Sequence, residues 1–245
     1  MPKRLATIST VVGTAALALA FAAPAFGRGY QVKITDLTDG QPLTPPVVAT
    51  HIGKHPIFRV GRPASVGVRE IAENGNNAPL LAQLAADPFD RISHFKQAGN
   101  GPLVPPGKPG SLMFDDHVSF TIHAGRSARR LSFVSMLICT NDGFTGADGL
   151  RLPAAIGHKT AKSTIGYDAH TEINTEDYAD MVPPCQSLIG DTAGESDAGT
   201  AVSDPALAEG GVIRRHHGIK GVDDLSPAIH GWTDPVARIR VERTG

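Results

Sequence analysis

Several features are scarce in this chain, and each scarcity excludes something. Aromatic residues make up only 5% of 245 residues, and there is one tryptophan, so any core must be built mainly from Val, Ile, Leu and Met. Basic residues are not in excess: the formal charge is −1, which lacks the basic face that nucleic-acid binding requires. Gly-x-Ser-x-Gly and His-Glu-x-x-His are both missing, which removes the nucleophile elbow and the common zinc-protease helix. There is no internal repeat and no heptad. Only one uncharged apolar run is long, Val11 to Ala23.

That run has a specific reading. Lys3 and Arg4 precede it, and Ala23-Pro24-Ala25 follows with small residues at the two positions signal peptidase reads. Residues 1–25 are therefore expected to be a secretory signal peptide, cut after Ala25 or, on the Ala25-Phe26-Gly27 pattern, after Gly27. The alternative is a membrane anchor, but the run is short for a span of about 20 residues and rich in Ala. Loss of Lys3 and Arg4 with the leader takes the formal charge from −1 to −3. The mature chain then has no transmembrane segment and is expected to be secreted or periplasmic.

Export gives the two cysteines a context. Cys139 and Cys185 are an even pair in an oxidising compartment, so a single disulfide is expected. Two separate buried thiols are the alternative, since Phe133 to Ile138 before Cys139 is apolar.

The periodicity favours strands at both ends. Tyr30 to Leu37, His117 to His123 and Val236 to Arg243 alternate apolar and polar residues, as half-buried strands do. Leu131 to Ile138 is almost continuously apolar, which suits a central strand. Val47–His51, Ile57–Val60 and Lys162–Tyr167 are shorter extended candidates. Two helices are expected between them. One has Pro63 near its first turn, Ala64, Val68, Ile71 and Ala72 on one face, and a stop at Asn74-Gly75; the other runs from Ala78 to Ala86. Ala98 to Gly110 reads as loop, Asn141-Asp142-Gly143 and Ala147-Asp148-Gly149 as turns, and residues 186–228 as a solvated polar excursion. With 27 Gly and 19 Pro, turns take much of the chain. The expectation is an all-β fold: a single antiparallel β-sandwich over residues 30–245 with one or two short inserted helices.

Chemistry is sought among carboxylates at strand ends. Asp142 follows the apolar strand, and Asp168 and Glu172 follow the Lys162–Tyr167 segment. Loops from different strands of a sandwich gather at one edge, and carboxylates that converge there repel unless a cation sits among them. Calcium, with its six to eight oxygen ligands, suits an exported protein. On spacing alone an Asp-Gly pair is as readily a plain turn. Ten histidines leave a Ser–His–Asp assembly or a zinc site from His170, Glu172 and a further His as enzymatic alternatives.

Four stretches in order carry a resemblance. Gly61-Arg62-Pro63-Ala64-Ser65-Val66-Gly67-Val68-Arg69-Glu70-Ile71-Ala72-Glu73 is similar to the "G-x-x-A-S-x-G-v-x-x-v-A-E" stretch of the spondin N-terminal domain family. Leu131 to Met136, with Asp142 and Gly146 beyond it, resembles that family's "L-S-F-x-x-M" strand and its Asp-bearing loop. Tyr167-Asp168-Ala169-His170-Thr171-Glu172 resembles "W-D-A-G-T-D", and Val236 to Arg243 resembles the closing "V-A-R-V-x-V-E-R" strand. The resemblance implies a calcium- and lipid-binding-domain-like sandwich with a calcium ion held at one end by Asp142, Asp168 and Glu172. Here Glu172 stands where the family has Asp, and His170 where it has Gly. It also implies a non-enzymatic role at an extracellular or cell-surface ligand, such as adhesion, although the thrombospondin repeats of the animal members are not in this chain. Peripheral, calcium-dependent membrane contact is a further expectation, with Phe144 beside Asp142 as the candidate apolar residue.

Overall fold

A computed structural model describes residues 27–54, 57–192 and 199–245. The leader expected over residues 1–25 lies outside the described residues. Among those described, no helix is long and apolar enough to cross a membrane.

Two antiparallel sheets form the sandwich. The strands are β1 (Arg28–Asp36), β2 (Val47–His51), β3 (Ile92–Gln97), β4 (His117–Ala124), β5 (Arg130–Met136), β6 (Gly143–Arg151), β7 (Lys159–Thr164), β8 (Gly166–Asp168), β9 (Arg214–Arg215) and β10 (Ala237–Arg243). One sheet has the order β4-β1-β10-β7 and the other β3-β2-β5-β6-β8-β9. The alternation along β1 and β10 sends Tyr30, Val32, Ile34, Ile239 and Val241 into the space between the sheets, where they meet Val48, Leu131 and Phe133. Val32 lies opposite Val241, and Ile34 opposite Ile239.

The six-stranded sheet is covered on both faces. Its second face, carrying Val47, Ala49, Val134 and Met136, packs under helices α1 (Val66–Asn74) and α2 (Ala78–Ala85). This is why all five residues of β2 and six of seven in β5 are buried, and why β5 reads as an unbroken apolar run. Burial under helices, in addition to burial inside a sandwich, explains the pattern.

The helix α1 starts later than the proline suggests. Ser65 is its cap, with Oγ accepting from the Val68 N–H at 3.3 Å. Gly75 closes it in the left-handed region at φ 63°. The two helices touch at Gly67, where a Cβ would lie 2.6 Å from Leu80 Cα and 2.5 Å from Gln83 Oε1. Gly67→Ala is therefore expected to push α1 and α2 apart and lower stability by about 1–3 kcal/mol, read as a lower urea midpoint at unchanged slope.

The excursion expected over residues 186–228 is only partly solvated: residues 193–198 lie outside the described residues, 201–212 are mostly exposed, and the two flanks return to the core. The segment begins in helix α3 (Pro184–Ile189) and continues through β9 to the start of helix α4 (Pro227–His230). Leu188, Ile189, Ile213, Ile219 and Leu225 all join the core beneath the helices. Cys185, in α3, is bonded to Cys139 beyond the end of β5, as the even cysteine count led us to expect.

Candidate functional site

The site grows out of the hairpin between β5 and β6. Thr140 Oγ accepts from the Gly143 N–H at 2.9 Å and donates to the Leu137 carbonyl at 2.7 Å, which folds a tight turn. A Cβ on Gly143 would sit 2.4 Å from that Oγ, so the turn excludes any larger residue there. Gln41 braces the same turn: its Nε2 donates to the Cys139 and His230 carbonyls, and its Oε1 accepts from the Cys139 N–H. Asp142 is thereby held immediately before β6. Its neighbour across the sheet follows from register, since Gly143 pairs with Asp168 at the end of β8.

Asp142 is fully buried, and its two oxygens have different surroundings. Oδ2 accepts from the Thr171 N–H at 2.7 Å, the Glu172 N–H at 3.1 Å and the Thr171 hydroxyl at 3.3 Å. Oδ1 is buried with no hydrogen-bond partner. Asp168 is also buried; Oδ1 accepts from the His170 N–H at 2.7 Å and Oδ2 from Asn174 Nδ2 at 2.9 Å. Burial, and then the Asp168 charge, push the Asp142 carboxyl up to about 7.

Glu172 lies on the same loop but its side chain goes elsewhere. Its N–H donates to Asp142, whereas its Oε1 accepts from the Asp204 N–H at 3.0 Å. Its carboxyl is also pushed up to about 7, first by burial and next by Glu73 at the end of α1. The structure thus brings Asp142 and Asp168 together and turns the Glu172 carboxylate toward Glu73. Among the described residues no group of three or more His, Cys, Asp or Glu side chains is arranged to hold a metal ion. An open pocket of about 560 Å3 borders the Glu172 side, with Arg69, Glu73, His170 and Ser203 in its walls.

No Lys or Arg forms an ion pair with Asp142, Asp168 or Glu172 among the described residues; the His170 ring comes within 3.6 Å of Asp168 through Nδ1. His170 has φ 52°, in the left-handed region where His is tolerated far better than branched residues. The backbone shape that a glycine would supply at this position is therefore kept. His216, buried near Asp168, has its pKa lowered to about 4 by burial, so it is neutral and brings no countercharge. Its Nδ1 accepts from the Gly218 N–H at 2.9 Å, which leaves the proton on Nε2, and that atom has no partner.

Some residues here escaped the sequence reading. Glu176, at φ 63°, accepts from the N–H groups of Lys220, Gly221 and Val222 at 2.6 to 2.9 Å and so ties the 218–222 loop to the site. Only its position four residues after Glu172 marks it. Phe144 is buried in the core, edge-on to Phe58 at 5.2 Å, so it is not an exposed membrane contact. Of the histidines weighed for catalysis, His230 is buried against the Tyr178 hydroxyl at 2.8 Å. The one serine hydroxyl bonded to a histidine ring among the described residues is Ser132, with His51 at 2.9 Å, and both are fully buried.

Together these elements define an antiparallel β-sandwich with a buried carboxylate pair at one strand-end edge, one oxygen of which, Asp142 Oδ1, has no hydrogen-bond partner. The chain matches no model of a known protein family, and no curated protein matches it.

Proposed function

We propose that this chain is an exported, spondin-like β-sandwich that binds one calcium ion through Asp142, Asp168 and Glu172 and acts by binding a partner outside the cytoplasm. The observation that carries the reading is Asp142 Oδ1, a buried carboxylate oxygen without a hydrogen bond, beside a second buried carboxylate and without a cation. Burying an unpaired charge is expensive, and here two carboxylates lie at the neighbouring ends of adjacent strands. A divalent cation would supply the missing charge, and the donor set is all oxygen, as calcium prefers. Glu172 would join by exchanging its bond to the Asp204 N–H for the ion. Loop carbonyls and water complete the coordination of such ions.

The cation's role in this reading is structural: it would hold the 168–176 loop against the β5–β6 hairpin and so fix the edge that a partner meets. The disulfide and the Lys3 to Ala25 pattern support export.

The test is thermal unfolding of the mature chain with calcium or with chelator. Calcium at a hundred times its Kd is expected to add about 2.7 kcal/mol, a rise of roughly 5–11 °C for a domain of this size. No rise at millimolar calcium would overturn the site. A rise that survives Asp142→Ala with Asp168→Ala would place the ion elsewhere.

A further inference from the structure

The outer face of the four-stranded sheet carries charge for which the fold has no use. Along β1 and β10 the residues alternate between the core and this face, so Lys33, Arg238 and Arg240 all point away from the core. Lys33 lies directly opposite Arg240, and Arg238 lies two residues back along β10, opposite Thr35. Directly opposed side chains have Cβ atoms about 4.5–5.5 Å apart, and like charges placed so destabilise the pair. A carboxylate at any flanking position would relieve this. The positions directly across the neighbouring strands hold Ser119 opposite Lys33, Ala161 opposite Arg240 and Ser163 opposite Arg238, and the one acidic neighbour is Glu242, two residues along β10 from Arg240.

The face has one carboxylate, Glu242, and it is taken by Lys159 at 3.1 Å. Asp116, just before β4, is bonded to His117 at 2.7 Å. Among the described residues Lys33, Arg238 and Arg240 form no ion pair. Three uncompensated cations thus share one sheet face of a chain whose formal charge is −1. A groove of about 500 Å3 runs over this face between Lys33, Arg240, Lys159 and Glu242, with Arg238 just outside its walls.

We propose that this face binds a linear acidic polysaccharide. The arginine forks and Lys33 match its carboxylate or sulfate groups, in the charge-assisted geometry that makes such contacts strong. The hydroxyls of Thr35, Ser119 and Ser163 stand opposite the cations and can hydrogen-bond to sugar hydroxyls. A membrane surface fits less well. None of the exposed large apolar side chains lies on the outward positions of these strands, so nothing here would enter a bilayer, and a groove admits a chain better than a plane. The surface lies on the sheet opposite the carboxylate pair, so the proposal does not depend on calcium.

The experiment measures binding of the mature chain to heparin and to polygalacturonate, as sulfated and carboxylated probes, at about 50 and 300 mM salt. Attraction between exposed charges is screened over this range. Binding to at least one probe that weakens roughly tenfold or more with salt is expected. The variant Lys33→Gln/Arg238→Gln/Arg240→Gln is expected to bind at least about tenfold more weakly while unfolding at the same or a higher temperature, because it removes a repulsive pair. Lys33→Gln alone retains part of the loss. As a control, Arg59→Gln/Arg62→Gln/Arg214→Gln removes the same charge from exposed arginines elsewhere and leaves affinity within about twofold. No binding to either probe at low salt overturns the proposal. So does an equal loss in the control, a fall in stability of the triple variant, or binding to phosphatidylserine vesicles with none to the polysaccharides.

Discussion

Replacing Cys139 and Cys185 by alanine lowers the unfolding free energy by about 4 kcal/mol. The bond closes a loop between residues 46 apart, and a cross-link of that span removes this much chain entropy from the unfolded state. In a domain of this size the loss is a fall of roughly 8–16 °C in midpoint. The position of the bond matters as much as its span. Cys139 lies in the turn that carries Asp142, and Cys185 lies beyond the loop that carries Asp168 and Glu172. The closed segment therefore contains all three carboxylates, and the bond sits in the core beneath the helices with Tyr178 and Met181. A smaller calcium response in the same variant is expected, because the loop that must hold the ion is no longer tied at both ends. A urea titration with and without calcium reads both effects. A stability change below about 1 kcal/mol would mean that the core packing alone holds the segment.

The strands with a clean period of two were legible, and so were the helices with recognisable stops. β1, β4 and β10 face solvent on one side, so their alternation is visible; β2 and β5 are buried on both sides, so their apolar runs are visible. β3 was not legible, because Ile92–Gln97 is an edge strand whose side chains are exposed or half-buried, with no apolar stripe. Ala147-Asp148-Gly149 reads as a turn and is the interior of β6; Gly149, at φ 66°, takes up the register shift opposite Leu131 and Phe133. Lys162–Tyr167 reads as one strand but is the end of β7 and the start of β8, which belong to different sheets, with the chain crossing over at Ile165. Ile57–Val60 reads as extended and forms no strand; Phe58 instead fixes it by packing on Phe144 and Tyr167. At the site, the nearness of Asp142 and Asp168 was legible as strand-end clustering. The orientation of Glu172 was not, because it depends on Glu73 and Asp204, contributed by α1 and by a loop more than 30 residues further along.

Asp142→Asn is expected to do two opposite things. In chelator at pH 8 the variant is more stable than the parent, and in calcium it is less stable. The amide keeps an oxygen to accept from Thr171 and Glu172, and it places an N–H donor where Oδ1 now has no partner, next to Asp168. It also removes a buried negative charge from beside another. The pH dependence follows from the same carboxyl. Its pKa is 3.8 in an unfolded chain and about 7 in the fold. Between those values the native protein keeps a proton that the unfolded chain has lost, so calcium-free stability falls as pH rises from about 4 to about 7. Asparagine has no such proton. The gap between variant and parent therefore widens across that window, by at most about 1.4 kcal/mol per pH unit, and is constant above it. Glu172, also near 7, is present in both proteins, but the Asp142 charge is one of the groups that raise it, so its contribution cancels only in part. Calcium stabilisation of the parent grows over the same window, because the ion needs the deprotonated ligands. Urea midpoints at pH 5, 6.5 and 8, with calcium and with chelator, separate the effects. A variant less stable than the parent in chelator at pH 8 would mean that the three hydrogen bonds to Oδ2 already compensate the Asp142 charge. The fold would then satisfy Asp142 without a cation, and the proposed calcium site would fall.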